Sequence, residues 1–161
     1  MSRLNIMVGV PASGKDWFID HHRADDDLVL SSDGIRAEMG DVNDQTHNKQ
    51  VFSILYERME KALADGEKDI WFNATNVTVK DRSRALALGK QYGAEICAYV
   101  MLTPENQCIE NENLRDRRVG AEVIRKFSNR FTLPAYDEGF SKIYVVRKGE
   151  VFDLADFNFG N

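Results

Sequence analysis

The chain has 161 residues, which is enough for one domain with a hydrophobic core. Its net charge of −5 at pH 7 argues against nucleic-acid binding through an overall basic field, although a local basic face would suffice. The two cysteines, Cys97 and Cys108, lack metal-ligand spacing, and no apolar run reaches membrane length. We therefore expect a cytoplasmic protein with no signal peptide, membrane segment or second catalytic domain.

The first predicted elements are a buried strand over 4–8, a glycine-rich loop and a helix over about 15–22. The loop reads Gly9-Val10-Pro11-Ala12-Ser13-Gly14-Lys15, with the Gly-x-x-x-x-Gly-Lys spacing of a phosphate-binding loop. The glycines let backbone N–H groups converge on a phosphate, and the helix N-terminus adds positive potential. Lys15 is placed to reach the outer phosphates. The spacing therefore predicts that this loop binds the phosphates of a nucleotide.

Asp16 follows the loop, at the position where the pattern normally has Ser or Thr. The hydroxyl at that position would contact Mg²⁺. The change leaves phosphate binding by the backbone intact, but it alters the expected metal site.

A short buried strand over 28–30 leads directly into a polar segment, residues 31–36. In an open α/β sheet, ligands gather at the carboxyl ends of the strands. Asp33 and Arg36 follow such an end and lie three residues apart on the next helix, so they share a face. We interpret Asp33 as a general base and Arg36 as a phosphate clamp. The structural alternatives are a helix N-cap for Asp33 and a surface ion pair for Arg36.

The rest of the chain continues the alternation of helices and strands. The periodicity predicts helices over about 47–64 and 78–92, strands over 69–73, 94–102 and 142–146, and a short final strand over 151–154. Such alternation predicts an α/β fold, with a central parallel sheet covered by helices on both faces.

A basic segment follows the fourth predicted strand. Six cationic side chains fall within sixteen residues: Arg115, Arg117, Arg118, Arg125, Lys126 and Arg130. The structural alternative is a solvated basic helix. We favour an arginine-rich helical lid over about 104–130, because phosphoryl transfer needs cations that close over the transferring group.

Together these pieces resemble the P-loop kinases of the polynucleotide 5′-hydroxyl kinase type, a group of small P-loop kinases that includes many phage-encoded enzymes. The matching segments are residues 9–15, 32–36, 74–76 with Arg82, 115–124, 131–134 and 138–140. The resemblance implies the P-loop NTPase fold in a single domain over 1–161. It also implies ATP- and Mg²⁺-dependent phosphorylation of a hydroxyl, such as the 5′-OH of RNA or DNA in nucleic-acid repair.

The resemblance also implies roles for individual residues. Asp33 would be the base on the attacking hydroxyl, and Arg36 would contact the neighbouring phosphate of the acceptor. Lys15 would hold the β- and γ-phosphates. Arg115 is the best match for the lid arginine that neutralises the donor, and Arg117 or Arg118 is the alternative.

Three positions depart from the family's pattern: Asp16, Asn73 where the family often has Asp, and Glu110 where the lid often has Arg. One interpretation is that the carboxylate has changed sides, so that Asp16 contacts Mg²⁺ directly or through water and Asn73 is its hydrogen-bonding neighbour. A second is a nucleotide-binding protein without transferase activity. A kinase acting on a small metabolite or nucleoside is the third, since the acidic pI slightly favours a small acceptor.

Overall fold

A computed structural model of the chain describes residues 2–42, 44–115 and 119–160. In these ranges the strands are β1 (Arg3–Val8), β2 (Leu28–Ser31), β3 (Ile70–Asn73), β4 (Glu95–Met101), β5 (Lys142–Arg147) and β6 (Glu150–Asp153). The helices are α1 (Lys15–His22), α2 (Ser32–Glu38), α3 (Asn48–Asp65), α4 (Val79–Gln91), α5 (Glu105–Asn113) and α6 (Ala121–Arg130). Each helix and strand that periodicity located begins and ends within a residue or two of its predicted bounds.

The strands form one sheet in the order β2-β3-β1-β4-β5-β6. The first five pair in parallel, while β6 pairs antiparallel with β5. Lys148 and Gly149 connect β5 to β6 with φ values of 52° and 80°, which suits a tight hairpin turn. The predicted α/β class, parallel sheet and short final strand are confirmed, and the antiparallel direction of that strand is what alternation alone did not predict.

Helices cover both faces of the sheet. Leu4, Ile6 and Val8 of β1 pack into a large core with α3 and α4, whereas Met7 points to the opposite face, where it packs with Phe18 of α1. All of these side chains are fully buried. Because β1 is covered on both faces, it reads as a nearly continuous apolar run rather than an alternating one.

The carboxyl ends of the parallel strands place the polar segments at one edge of the sheet. β1 runs into the glycine-rich loop, β2 into α2, and β3 ends at Asn73. This edge is where parallel α/β sheets bind ligands. Among the described residues, no helix is both long and apolar enough to cross a bilayer.

Candidate active site

The loop between β1 and α1 is held in shape from three directions. Gly9 N donates to Thr75 O at 2.9 Å, Thr103 Oγ1 donates to Ser13 O at 2.7 Å, and Asn111 Nδ2 donates to Ala12 O at 3.1 Å. These contacts come from the ends of β3 and β4 and from α5. The loop is therefore preorganised by the surrounding elements.

Close packing beneath the loop explains its first glycine. A Cβ on Gly9 would lie 2.5 Å from Ser13 Oγ, closer than real Cβ contacts allow. Ser13 and Val10 are buried below the loop, and Ser13 Oγ has no hydrogen-bond partner among the described residues. Pro11, Ala12 and Gly14 line the cavity above. The side chains of Val10 and Ser13 thus support the loop from below, and any phosphate contact they make would come from their backbone.

Lys15 begins α1 and folds back over the loop. Its Nζ donates to Gly9 O at 2.9 Å and to Val10 O at 2.8 Å. Burial lowers the pKa of Lys15 to about 8, with a further lowering by Arg115, while the carboxylates of Asp16 and Asp33 oppose the shift. Lys15 thus shares one electrostatic environment with the predicted base and the predicted lid arginine.

Asp16 and Asn73 meet across the carboxyl edge of the sheet. Asn73 Nδ2 donates to Asp16 Oδ1 at 2.5 Å. Only the amide nitrogen can donate to a carboxylate, so Asn73 Oδ1 and Asp16 Oδ2 remain as neighbouring oxygen atoms. Mg²⁺ takes oxygen ligands and is often bound by one or two carboxylates together with substrate phosphates, so these residues fit the ion. The described residues contain no group of three or more His, Cys, Asp or Glu side chains that could bind a metal without such phosphates.

Asp33 and Arg36 form the ion pair that their spacing predicts. Arg36 Nη1 lies 2.8 Å from Asp33 Oδ1, with the Arg36 side chain 8% exposed and the Asp33 side chain 42% exposed, so the guanidinium is buried while the carboxylate is open to solvent. Ser31, not Asp33, caps the helix, because Ser31 Oγ accepts from Gly34 N at 3.1 Å. Asp33 is therefore not needed as a cap and faces the cavity.

Asn48 completes this arrangement, and sequence reasoning missed it. Its Oδ1 accepts from Arg36 Nε at 3.2 Å and from Arg36 Nη2 at 2.7 Å. All three guanidinium nitrogens thus donate within the chain, which makes Arg36 a positioning residue for Asp33. Its predicted contact with a phosphate of the acceptor stays a prediction. The sequence contains no pattern that links Asn48, at the start of α3, to Arg36 twelve residues earlier, so this contact could not be predicted.

One cavity of about 830 Å³ joins these groups. Lys15, Asp16, Asp33, Arg36, Asn73 and Arg115 all line it. The lining of the same cavity also includes aromatic and cationic side chains: Phe52, Tyr56, Lys80, Phe127 and Arg130. The cavity at the carboxyl edge of the sheet thus contains both the phosphate loop and the predicted base.

The predicted lid corresponds to α5 and α6. Cys108 of α5 and Ile124 of α6 pack on Val10, so both helices dock on the phosphate loop. Arg115 follows α5 and lines the cavity, whereas Arg125 is exposed and pairs with Glu122 and Glu105. Arg117 and Arg118, the alternative lid arginines, lie outside the described residues.

Two buried carboxylates support this region, and sequence reasoning gave neither a role. Glu112 of α5 is 2% exposed and accepts from the backbone N–H groups of Val119 (2.6 Å) and Gly120 (3.0 Å) at the start of α6. Glu138 forms a two-point ion pair with Arg82, which is fully buried. A buried glutamate among polar neighbours gives no periodic signal, so neither contact could be read from the sequence.

Comparisons with known proteins agree with this architecture. Residues 4–134 match the AAA domain family, AAA_33. No curated protein matches the chain.

Three solved structures are similar in fold. A chain of the Pnkp1/Rnl/Hen1 RNA repair complex has a TM-score of 0.70 and 17% identity, with 80% of this chain and 43% of that chain covered. Chaetomium thermophilum Kti12 bound to ADP-AlF3 has a TM-score of 0.70 and 13% identity, with 90% and 89% covered. A gluconokinase from Sinorhizobium meliloti has a TM-score of 0.55 and 12% identity, with 88% and 80% covered. The chain spans less than half of the RNA repair protein, and the P-loop NTPase fold is confirmed.

Proposed function

The chain belongs to the AAA domain family, and we propose that it binds ATP and transfers the γ-phosphoryl group to a hydroxyl, in particular the 5′-OH of a nucleic-acid end. The observation that carries this proposal is the convergence of Lys15, Asp33 and Arg115 on one cavity at the phosphate loop. A phosphate-binding loop alone indicates a nucleotide site. A carboxylate that lines the same cavity adds a base for an acceptor hydroxyl.

The chain's own residues supply each part of the reaction. The loop N–H groups and Lys15 hold the β- and γ-phosphates. Asp33 takes the proton of the acceptor hydroxyl, whose oxygen bonds to the γ-phosphorus while the bond from that phosphorus to the β–γ bridging oxygen breaks. ADP leaves with the electron pair of that bond. Arg115 offsets negative charge on the transferring group, and Arg36 holds Asp33 in place.

Mg²⁺ fits beside Asp16 and Asn73, where it would neutralise phosphate charge when bound. Asp16 would contact it directly or through water, and Asn73 would orient the Asp16 carboxylate through the 2.5 Å hydrogen bond. This arrangement replaces the hydroxyl and carboxylate that usually face each other at such sites.

The aromatic and cationic side chains in the lining of the cavity favour a nucleic-acid acceptor over a small metabolite. Aromatic faces at Phe52 and Phe127 suit nucleobases, and Lys80 and Arg130 suit backbone phosphates. The Arg130 guanidinium lies 4.9 Å from the ring centre of Phe127, so a positive charge and an aromatic ring lie next to each other in the cavity lining. A local basic and aromatic surface of this kind is compatible with the net negative charge.

The experiment is transfer of labelled γ-phosphate from ATP, with and without Mg²⁺, to four acceptors: 5′-OH RNA, 5′-OH DNA, a 3′-nucleotide and a plain nucleoside. The matched variants are Asp33→Asn, which removes the base, and Asp20→Asn, an exposed change on α1. We expect oligonucleotide labelling that falls by about a hundredfold or more in Asp33→Asn and stays unchanged in Asp20→Asn.

The other outcomes each select a different function. Labelling of the nucleoside alone would identify a kinase of small molecules. ATP binding without labelling of any acceptor would identify a nucleotide-binding protein in which Asp16, Asn73 and Glu110 have removed the chemistry. Equal activity in the two Asn variants would show that Asp33 is not the base.

A further inference from the structure

Trp17 lies two residues after Lys15, in the first turn of α1, and is 51% exposed. The other tryptophan, Trp71, is 4% exposed and packs among aromatic rings in the core beneath α1. Phe18, the neighbour of Trp17, is fully buried, so the helix turns Trp17 away from the core. Trp17 also borders the cavity that contains the phosphate loop.

The indole of Trp17 is held in a defined orientation. One face stacks on the His21 ring, with ring centres 4.1 Å apart and an interplanar angle of 27°. His21 Nδ1 in turn lies 2.7 Å from Trp17 O. This stack is the ring contact that Trp17 makes among the described residues, and it supports the indole from one side.

The turn between β5 and β6 lies next to the edge of the six-membered ring of the indole. A Cβ on Gly149 would lie 3.5 Å from Trp17 Cη2 and 3.7 Å from Trp17 Cζ3. Gly149 follows the carboxyl end of β5, the same sheet edge that carries the phosphate loop. The indole therefore reaches from the loop's helix toward the turn, at the border of the cavity that contains the phosphate loop.

We propose that the indole of Trp17 stacks on the base of the nucleotide whose phosphates occupy the loop, with the Lys148–Gly149 turn as the adjoining wall. This inference rests on the proposed function only for the presence of a nucleotide at the loop, not for phosphoryl transfer. Stacking uses the flat face that every base presents, so the contact adds affinity for the nucleoside part rather than for the phosphates. His21 acts as a positioning residue, because it fixes the plane of the indole.

The test compares two ligands that share phosphates and differ in the base: ATP and inorganic tripolyphosphate. Affinities are measured by calorimetry on the intact chain and on Trp17→Ala and Trp17→Phe. We expect Trp17→Ala to weaken ATP binding by about tenfold, as the loss of one base stack does, while tripolyphosphate binding changes by less than about twofold. Trp17→Phe keeps an aromatic face and should retain most of the ATP affinity.

Fluorescence gives an independent readout, since Trp17 is exposed and Trp71 is buried. ATP should change the emission of the unmodified chain, and tripolyphosphate should change it much less. Trp17→Phe should abolish the ATP-dependent change and keep the emission of Trp71.

The outcomes separate this inference from the proposed function. If Trp17→Ala binds ATP as the parent does, or loses affinity for both ligands equally, the stacking contact is wrong while nucleotide binding stands. If neither ligand binds to the unmodified chain, the nucleotide site itself is wrong and the stacking contact fails with it. Binding of both ligands with the expected difference supports the inference even if no acceptor is phosphorylated.

Discussion

Asp16 is the residue at which this site departs most from its family's pattern, and the structure pairs it with a second departure. The hydrogen bond from Asn73 Nδ2 to Asp16 Oδ1 puts an amide where a carboxylate usually lies, and a carboxylate where a hydroxyl usually lies. We propose that the local charge is kept while its position changes, so that the two departures are one exchange rather than the independent loss of two metal ligands.

The exchange predicts how single and double variants behave. Asp16→Ala should lower Mg²⁺-dependent phosphoryl transfer by about tenfold or more, because the carboxylate oxygens are lost. Asp16→Ser alone should restore little of the activity lost in Asp16→Ala, since Asn73 cannot supply the negative charge. Asp16→Ser combined with Asn73→Asp should recover most of the activity. Mn²⁺ binding in the presence of ADP, followed by electron paramagnetic resonance, measures the site without turnover.

The control for this series is Asn73→Asp alone, which places two carboxylates side by side and should bind Mn²⁺ with altered affinity. Parental activity in Asp16→Ser would rule out the exchange and leave Asp16 without a metal role.

Lys15 predicts a pH dependence of phosphate binding. Its pKa of about 8 means that the charged form, which binds phosphate, predominates below pH 8 and is lost as the pH rises through that value. Bound phosphates favour the charged form, so binding takes up a proton above pH 8, and affinity should fall by up to about tenfold per pH unit there.

The measurement is the dissociation constant of ATP between pH 7.5 and 9.5, where the γ-phosphate of the nucleotide is already largely ionised. The control is Lys15→Arg, whose guanidinium stays charged throughout, so its dissociation constant should not vary with pH in this range. A constant affinity in the unmodified chain over the same range would contradict the prediction.

At the scale of elements, a carboxylate connects the two helices of the segment that we predict to be a lid. Glu112 of α5 accepts the backbone N–H groups of Val119 and Gly120, just before α6 begins. A negative group at a helix N-terminus is favourable, and here it also fixes the angle at which α6 leaves α5. The contact links the helix that touches the loop through Asn111 to the helix that forms the far wall of the cavity.

Glu112→Gln tests this link with almost no change in shape. The substitution removes the charge and one acceptor oxygen, so the free energy of unfolding should fall by about 1–3 kcal/mol. Amide hydrogen exchange across 119–130 should become faster than in the parent. The matched control is Glu110→Gln, an exposed change on the same helix, which should alter neither measurement. Equal effects of the two variants would show that the contact does not organise the lid.

At the scale of the whole molecule, most of the fold could be predicted because apolar periodicity records which faces are buried. The stripe along α3, which includes Leu55 and Met59, marked both the helix and its core face. The glycine spacing of the loop likewise located the site. Side chains that form a single contact with a residue distant in sequence do not produce a periodic pattern. Asn48, Glu112 and the stack on Trp17 belong to that class. The sequence predicts the final strand over 151–154 but not its antiparallel pairing with β5, which depends on a turn of two residues with positive φ.

Arg82 joins three parts of the molecule that are distant in sequence. Its Nε and Nη2 donate to the two carboxylate oxygens of Glu138 at 3.0 Å, and Nη1 donates to Asn76 O (2.9 Å) and Thr132 O (3.1 Å). Asn76 follows β3, while Thr132 and Glu138 belong to the segment between α6 and β5. The guanidinium thus fixes the return of the chain from the lid to the sheet.

This buried pair predicts that removing both charges costs less than the two single losses added together. Arg82→Met should lower the free energy of unfolding by about 3–5 kcal/mol, because it leaves the Glu138 carboxylate buried without its cation. Glu138→Leu should cost a similar amount for the converse reason. The double variant should be considerably more stable than the sum of the two losses implies, since no unpaired charge remains. Denaturant unfolding of the four proteins measures the cycle. If the losses in free energy of unfolding were additive, the two charges would not stabilise each other. Arg82 would then act mainly through its hydrogen bonds to Asn76 O and Thr132 O.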